Sequence, residues 1–357
     1  MQIYRLIRNN GSLTSGQVFY CAAPLSGAFG GLLATGLAEI EFGGYNRWPW
    51  IFFVEGSITI LVAIAAFFFL PDTPGKAKFL SEEEQWYIVH VLRADLQGAA
   101  MTDKIDDEKF SWAAVSLTSS YSYKASSRDS ANTVQVRMAI LNINTILMSI
   151  NFFLILVPIY SFSLFLPSII SGLGYKRITA QLFTVPPNFV AFLVVLLASW
   201  ISDRIKMRGP LIAVGLTLAA IGYIMQLAAK TPSVRYGGTF FVAAGMFPCS
   251  PLILAWLSNN LAPHYVKATG LGFIVALGNC GAFVATFTYL SEDAPLYTTG
   301  HAINIGAIGL SLILTLGNLA YIRWENAARA SGKRDSRLQG PKENELGYRH
   351  PGFRYTL

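Results

Sequence analysis

The 357-residue sequence has little charge. Asp, Glu, Lys and Arg make up 13% of the chain, about half of the roughly 25% that is usual for soluble domains. Hydrophobic residues make up 53%, and the mean hydropathy is +0.45. A soluble protein of this size would have to expose large apolar patches. The composition therefore argues against a soluble enzyme, a nucleic-acid-binding protein or a disordered scaffold, although the formal net charge is +7.

Cysteine and histidine are also scarce, with three and four residues. Cys21, Cys249 and Cys280 lie far apart in apolar stretches, which is typical of buried small hydrophobic residues. Neither residue type shows metal-ligand spacing, and no nucleophile stands beside a base in a catalytic pattern. The sequence predicts no metal site, no cofactor and no enzymatic activity.

Long apolar runs dominate the chain instead. Eight windows have the roughly 20 apolar residues that a helix needs to cross hydrocarbon. They contain one charged side chain, Glu55, and a charge at mid-depth costs at least about 2.5 kcal/mol. The pattern predicts an all-α polytopic membrane protein with eight transmembrane helices. The windows are approximately 18–38, 50–70, 145–171, 181–201, 210–229, 237–257, 268–290 and 302–322.

The distribution of positive charge predicts the orientation. With the N-terminus inside, the inside segments hold 22 of the 27 Lys and Arg residues, and the outside loops hold 5. Cytoplasmic loops carry an excess of Lys and Arg, so both termini are predicted to be cytoplasmic. The inside segments are 1–17, 71–137, 202–209, 258–267 and 323–357.

The spacing of the windows divides the chain into four parts. Residues 1–70 hold two predicted helices, and residues 71–137 form a long inside segment. Six helices follow in 138–322, and 323–357 form a basic tail.

The long inside segment has two unlike halves. Ser81 is the predicted N-cap of an amphipathic helix, with Glu84 as its capping-box partner. Residues 111–137 are Ser-rich and lack helical periodicity. They are open to three interpretations: a disordered loop, a phosphorylated regulatory loop, or translated non-coding sequence.

Ten short motifs are spread along the chain. They are Ser26-Gly-Ala-Phe-Gly-Gly31 with Gly36, Trp50-Ile-Phe-Phe-Val-Glu-Gly56, Phe69-Leu-Pro-Asp-Thr-Pro74, Phe79-Leu-Ser-Glu-Glu-Glu84, Tyr160-Ser-Phe-Ser-Leu-Phe-Leu-Pro167, Thr184-Val-Pro-Pro187, Ser202-Asp-Arg204, Pro248-Cys-Ser-Pro251, Trp256-Leu-Ser-Asn-Asn260 and Glu292-Asp-Ala-Pro295. In this order they resemble the major facilitator superfamily, and more narrowly its fungal anion:cation symporter branch. That branch includes allantoate, nicotinate and pantothenate permeases. The resemblance covers most of residues 20–325 apart from 111–145.

The resemblance implies a major-facilitator-type helical bundle whose eight helices correspond to helices 5–12 of a twelve-helix transporter. Residues 71–137 would join its two six-helix halves, and residues 1–70 would be a remnant of the N-terminal half without its first four helices. The implied function is proton-coupled symport of a small organic anion, such as a carboxylate vitamin or ureide, by alternating access. The implied partners are the anion, a proton and lipid, in a fungal plasma membrane, and nucleic acid is not among them.

Four polar side chains are candidates for contact with the substrate. Tyr160 and Ser250 lie next to prolines, which are tolerated in membrane helices mainly beside a cavity or another helix. Asn279 lies between glycines in mid-span, and its position resembles a substrate-contacting asparagine of the symporter family. Ser26 and Ser250 are weaker candidates. Ordinary packing or an interhelical hydrogen bond is the alternative role for these residues.

Two further groups are predicted to move or pack helices. Asp203, Arg204 and Arg208 lie in a short inside loop, which the resemblance assigns to the inward gate with Asp203 as its main residue. Ordinary positive-inside topology is the alternative. The second group consists of small residues that let helices approach closely or rock against each other. Its members are Gly27, Gly30, Gly31 and Gly36.

A second hypothesis stays open beside the symporter. An organic anion at membrane depth needs a cation or helix N-termini, and no Lys, Arg or His lies in the middle of a window. Glu55 is either part of a structural ion pair with Arg47 or a proton-coupling site. In the family, the anion-binding arginines and coupling acids lie largely in the first helices. The alternative is therefore a truncated, non-transporting fragment or a regulatory or assembly partner.

Overall fold

The structure is a computed structural model, and the part of it described is helical, without a β-strand. This confirms the all-α class. Most of the predicted inter-half loop, including the Ser-rich residues up to 135, lies outside the described residues, as does Arg47. The described residues are 20–37, 49–69, 77, 79–88, 90, 136–262, 264–336 and 347–357.

The main elements of the described part are ten α-helices and two short 3-10 turns, and residues 82–88 and 136–140 are helical as well. The turns are Ser291–Asp293 and Gly347–Arg349. The helices are α1 (Ala22–Leu37), α2 (Pro49–Phe69), α3 (Ile143–Gly172), α4 (Arg177–Leu182), α5 (Val185–Ile205), α6 (Gly209–Ala228), α7 (Pro232–Asn259), α8 (His264–Asn279), α9 (Gly281–Thr286) and α10 (Thr298–Ala330).

Seven helical stretches of the described residues are long and apolar enough to cross a membrane, one fewer than predicted. The first window, 18–38, holds α1, of which 16 residues are described, so this crossing stays a prediction. The other windows are confirmed. They correspond to α2, α3, α4 with α5, α6, α7, α8 with α9, and α10.

The spans from α3 to α10 form one bundle. Helix α7 packs against α6, α5, α3 and α8, and α3 also packs against α10 and α9. Helix α1 lies on α5 and α4, whereas α2 touches α1 and buries none of its residues. Helix α10 continues to Ala330, past the predicted boundary at residue 322.

Glycines on both helices bring α6 and α7 together. A Cβ atom at Gly222 would lie 2.6 Å from the carbonyl oxygen of Gly238. A Cβ at Gly215 would lie 2.7 Å from the carbonyl oxygen of Gly245. Any larger side chain would therefore collide with backbone. Close approach through small residues is how membrane helices gain packing energy when lipid is as apolar as their side chains.

The predicted capping box is confirmed. The backbone N–H of Ser81 donates to Oε2 of Glu84 over 3.1 Å, and the N–H of Glu84 donates to Oγ of Ser81 over 3.3 Å. The two residues thus satisfy donors that the first helical turn leaves free.

Candidate substrate-facing site

Tyr160 and Asn279 meet where α3 packs against α8. The hydroxyl of Tyr160 donates a hydrogen bond to Oδ1 of Asn279 over 2.5 Å. Tyr160 is half-buried and Asn279 is exposed, so the pair lies on the flank of the bundle and not in its core. Two of the four predicted substrate contacts, 119 residues apart in sequence, therefore form one site.

Interruptions in both helices position this pair. Pro158 lies inside α3 just before Tyr160, and proline cannot donate to the carbonyl one turn earlier. On the other side, α8 ends at Asn279 and α9 begins at Gly281. A Cβ at Gly281 would lie 2.9 Å from the carbonyl oxygen of Phe153 in α3. The glycine therefore lets the break in the second helix sit directly against the first.

The pair keeps unused hydrogen-bonding capacity. Nδ2 of Asn279 donates to the carbonyl oxygen of Val275 over 2.8 Å, which uses one of its two hydrogens. Among the described residues, no further hydrogen bond uses the second N–H of Asn279 or the remaining lone pairs on the Tyr160 and Asn279 oxygens. The site can orient a carboxylate or hydroxyl group, but it carries no charge to neutralise an anion.

The two predicted serines lie elsewhere. Ser26 is exposed, and its hydroxyl donates to a carbonyl of its own helix over 2.9 Å. Ser250 is 8% exposed and lies between two prolines inside α7. No hydrogen bond within the described residues links either serine to Tyr160 or Asn279. Their contact with a substrate stays a prediction.

The three predicted gate residues occupy different surroundings. The prediction of one loop was wrong for Asp203 and Arg204, which lie in the last turn of α5, because that helix continues to Ile205. Arg204 is exposed, with its guanidinium 4.7 Å from the centre of the Trp200 ring. Arg208 is 3% exposed, and its Nη1 donates to the carbonyl oxygen of Ala255 in α7 over 2.5 Å. Burial lowers the pKa of Arg208, and the nearby Asp203 carboxylate opposes that shift. Arg208 thus anchors the loop to α7, while its gating role stays a prediction.

The glycines of α1 divide into two pairs. A Cβ at Gly27 would lie 3.4 Å from the Asn188 side chain in α5, and one at Gly31 would lie 2.6 Å from Oε1 of Gln181 in α4. Gly30 and Gly36 have no such neighbour within 4 Å among the described residues. Glu55 is exposed in α2, so neither of its predicted roles gains a described partner.

A buried chain of hydrogen bonds joins α3, α10 and the segment after α9. Oγ of Ser161 donates to Oδ1 of Asn304 over 2.9 Å, and Nδ2 of Asn304 donates to the hydroxyl of Tyr289 over 3.2 Å. That hydroxyl lies 3.0 Å from Nδ1 of His301. Buried polar groups are costly unless they are hydrogen-bonded, so these bonds fix the register of the three elements.

A second buried cluster joins α3 to α10 nearer the middle of α10. Nδ2 of Asn151 donates to Oγ1 of Thr315 over 2.8 Å. Oγ of Ser311 donates to Oδ1 of Asn151 over 2.5 Å. The sequence-based predictions missed both clusters. The available signal was helical spacing, because His301, Asn304, Ser311 and Thr315 fall on one face of a helix.

Comparison with known proteins decides the family. The profile described as the Major Facilitator Superfamily matches residues 18–321. The chain belongs to the major facilitator superfamily. It is therefore an integral membrane protein whose relatives are named as transporters and not as enzymes.

The curated relatives of this superfamily member are fungal. An uncharacterized transporter of Schizosaccharomyces pombe is 30% identical over 333 residues, which cover 92% of this chain and 61% of the relative. The MFS transporter prlL of a fungal species is 32% identical over 293 residues, covering 80% and 54%. The high-affinity nicotinic acid transporter of Saccharomyces cerevisiae is 28% identical over 339 residues, covering 94% and 58%. The chain spans about six-tenths of the length of the first of these relatives.

A solved structure supports the fold. The proton:xylose symporter XylE, bound to 6-bromo-6-deoxy-D-glucose, aligns with a TM-score of 0.54 over 86% of this chain and 63% of that one. The identity is 14%, so the likeness concerns the fold alone. The major-facilitator-type helical bundle implied by the sequence motifs is confirmed.

Proposed function

We propose that this chain belongs to a transporter of a small organic anion that moves its substrate together with a proton by alternating access. The observation that carries the proposal is the hydrogen-bonded pair of Tyr160 and Asn279 on the accessible flank of the bundle. If the pair faced hydrocarbon, leaving its donor and lone pairs without hydrogen bonds would cost free energy. We therefore expect the pair to line a water-filled or substrate-filled cavity.

The proposed class of substrate follows from two further observations. One relative is named a nicotinic acid transporter, and nicotinic acid is a small carboxylate. The spare N–H of Asn279 suits a carboxylate oxygen, because hydrogen bonds to an ionised acceptor are the stronger ones. Since the pair is neutral, the countercharge for the anion must come from outside it.

Purified chain 1–357 in proteoliposomes tests the proposal. We expect uptake of labelled nicotinate or another small carboxylate, and we expect it to rise as the external pH falls from 8 to 4. Nicotinamide, which has no carboxylate, is the control solute. Flat uptake across that pH range would contradict proton coupling. No uptake of any carboxylate would favour the alternative, a non-transporting fragment or an assembly partner.

Two variants test the site itself. Asn279→Ala should weaken carboxylate uptake through a higher KM, by about fivefold to tenfold for one lost hydrogen bond to a charged group. Tyr160→Phe should raise the KM less, because it removes the hydroxyl that orients the Asn279 amide and not a direct bond to the carboxylate. Cys280→Ala is the matched control, because Cys280 is the exposed neighbour of Asn279 and its thiol bonds its own helix. An equal loss in all three variants would show damage to the helix and not to a substrate contact.

The cytoplasmic termini and the plasma membrane are part of the same proposal. The basic segments predicted on one side of the membrane support the orientation, and the fungal relatives with the resemblance to fungal permeases support the plasma membrane. A fluorescent fusion at residue 357, imaged in intact and permeabilised fungal cells with an antibody to the fused domain, tests both. Antibody binding without permeabilisation would contradict the orientation.

A further inference from the structure

The last described segment, residues 347–357, lies across the helix ends near the Arg208 loop. We name it the tail strap. The backbone N–H of Arg208 donates to the carbonyl oxygen of Leu357 over 2.7 Å. At the other end, the N–H of Tyr348 donates to the carbonyl oxygen of Ala262, and its hydroxyl donates to that of Met138. The tail strap thus reaches from the start of α6 to the end of α7 and the segment before α3.

Two asparagines each bind the backbone N–H and C=O of one residue of the tail strap, and these two residues are consecutive. Asn326 of α10 donates through Nδ2 to the carbonyl oxygen of Tyr355 over 2.8 Å and accepts from its N–H over 3.0 Å. Asn260, at the end of α7, donates through Nδ2 to the carbonyl oxygen of Thr356 over 3.1 Å and accepts from the N–H of Thr356 over 2.8 Å. In an extended chain, successive residues direct their peptide groups to opposite sides. The two side-chain amides therefore hold the tail strap from both sides.

Trp256 supplies a third contact from α7. Its indole N–H donates to the carbonyl oxygen of Thr356 over 2.9 Å, and the side chain is fully buried. Asn260 is equally buried. These two residues begin and end the sequence motif Trp256-Leu-Ser-Asn-Asn260, which the Tyr160–Asn279 site leaves without a role.

Arg329 of α10 holds the rest of the tail strap. It is 5% exposed, and its Nη1 donates to the carbonyl oxygens of Phe353 at 2.7 Å and Tyr348 at 3.1 Å. Its guanidinium also lies 4.4 Å from the centre of the Tyr355 ring. Without the tail strap Arg329 would keep its ion pair with Oε1 of Glu325, at 3.1 Å, but the buried donors that now reach the carbonyl oxygens would lose their acceptors, which is costly. The tail strap therefore supplies acceptors that the buried donors of α10 need.

We propose that Trp256, Asn260, Asn326 and Arg329 form a binding site for the backbone of the tail strap, and that the bound strap positions the loop at Arg208. We call this loop, residues 206–208 between α5 and α6, the gate loop. Recognition through peptide groups resembles the addition of a strand to a sheet edge, where main-chain bonds supply the affinity. The coupling runs through two contacts of Arg208. Its N–H is held by the tail strap, and its guanidinium reaches α7 close to Trp256 in sequence.

The experiment uses the purified full chain in lipid nanodiscs and needs no substrate, so it is independent of the proposed transport. Trypsin cleavage of the Arg354–Tyr355 bond reports release of the tail strap. Hydrogen exchange of the peptide covering residues 203–210 reports the gate loop. We expect Asn260→Ala to speed cleavage about tenfold and to raise exchange at the gate loop, because up to three hydrogen bonds to Thr356 are lost.

Asn259→Ala is the matched control. Asn259 is the neighbouring asparagine, and its side chain has no hydrogen bond within the described residues. It should leave both rates within about twofold of the wild type. Trp256→Phe serves if Asn260→Ala does not fold, because it removes the indole N–H that bonds Thr356 and keeps a smaller aromatic ring. Equal cleavage of wild type and Asn260→Ala would overturn the binding site. Faster cleavage with unchanged exchange at 203–210 would overturn the coupling to the gate loop.

Discussion

Helices α7 and α2 are both apolar enough to cross a membrane, yet they end in opposite surroundings. Of the most apolar window of α7, 78% is buried inside the bundle, whereas none of the α2 window is. Helix α2 ends in Phe67, Phe68 and Phe69, which are 84%, 77% and 82% exposed. Helix α7 instead presents Gly238 and Gly245 to α6. Apolarity places a helix in the membrane, but small and polar residues place it in the interior of the bundle.

The largest expected effect comes from breaking the glycine contact between α6 and α7. A Cβ at Gly222 would lie 2.6 Å from both the carbonyl oxygen of Gly238 and the N atom of Val242, which are backbone atoms that cannot rotate away. Gly222→Val should therefore lower the free energy of unfolding by about 3 kcal/mol or prevent folding. Thermal unfolding in detergent, or the yield of monodisperse protein, measures this.

Gly56→Val in α2 is the control for that experiment. A Cβ atom added at Gly56 would have no neighbour within 4 Å among the described residues, so the variant should unfold like the wild type. If both valine variants were equally stable, close backbone contact would not be what distinguishes α7 from α2.

The second effect in size concerns the buried polar cluster of α3 and α10. Asn151→Ala would leave the hydroxyls of Ser311 and Thr315 without their partner, both of them fully buried. We expect a loss of about 1–3 kcal/mol in unfolding free energy. Ser57→Ala is the control in α2, because the Ser57 hydroxyl is exposed and bonds a carbonyl of its own helix. A comparable loss in both variants, measured by thermal unfolding, would contradict a special role for buried polar contacts.

The contrast between α7 and α2 also shows which structural features can be predicted from the sequence and which cannot. Crossing segments follow from runs of apolar residues, and the capping box of Ser81 and Glu84 follows from residues three apart. Both are local patterns. The tail strap could not be predicted in this way, because it is held mainly by its peptide groups and its binding site comes from α7 and α10. The glycines of α6 and α7 recur at seven-residue spacing, but the spacing alone does not say which helices meet.

The candidate site was only partly predictable for a related reason. Tyr160 is predicted from a proline in its helix, a local signal of an irregular helix, and Asn279 from its flanking glycines together with its resemblance to a substrate-contacting asparagine of the symporter family. That they share a hydrogen bond depends on how α3 packs against α8. Ser250 is predicted from the same kind of proline signal, but it lies buried inside α7 without a described bond to the pair. An irregular helix therefore does not predict which neighbouring helix its polar side chain will contact.

The smallest expected change in stability separates a functional polar pair from a structural one. Tyr160→Phe removes the hydroxyl that bonds Asn279, but Asn279 is exposed, so water or another polar group can replace the lost partner. The free energy of unfolding should change by no more than about 0.5 kcal/mol, whereas Asn151→Ala at the buried cluster of the same helix should cost several times as much. If thermal unfolding instead showed an equal loss for both variants, the Tyr160–Asn279 bond would be part of the packing between α3 and α8. The proposed substrate contact would then lose its main support.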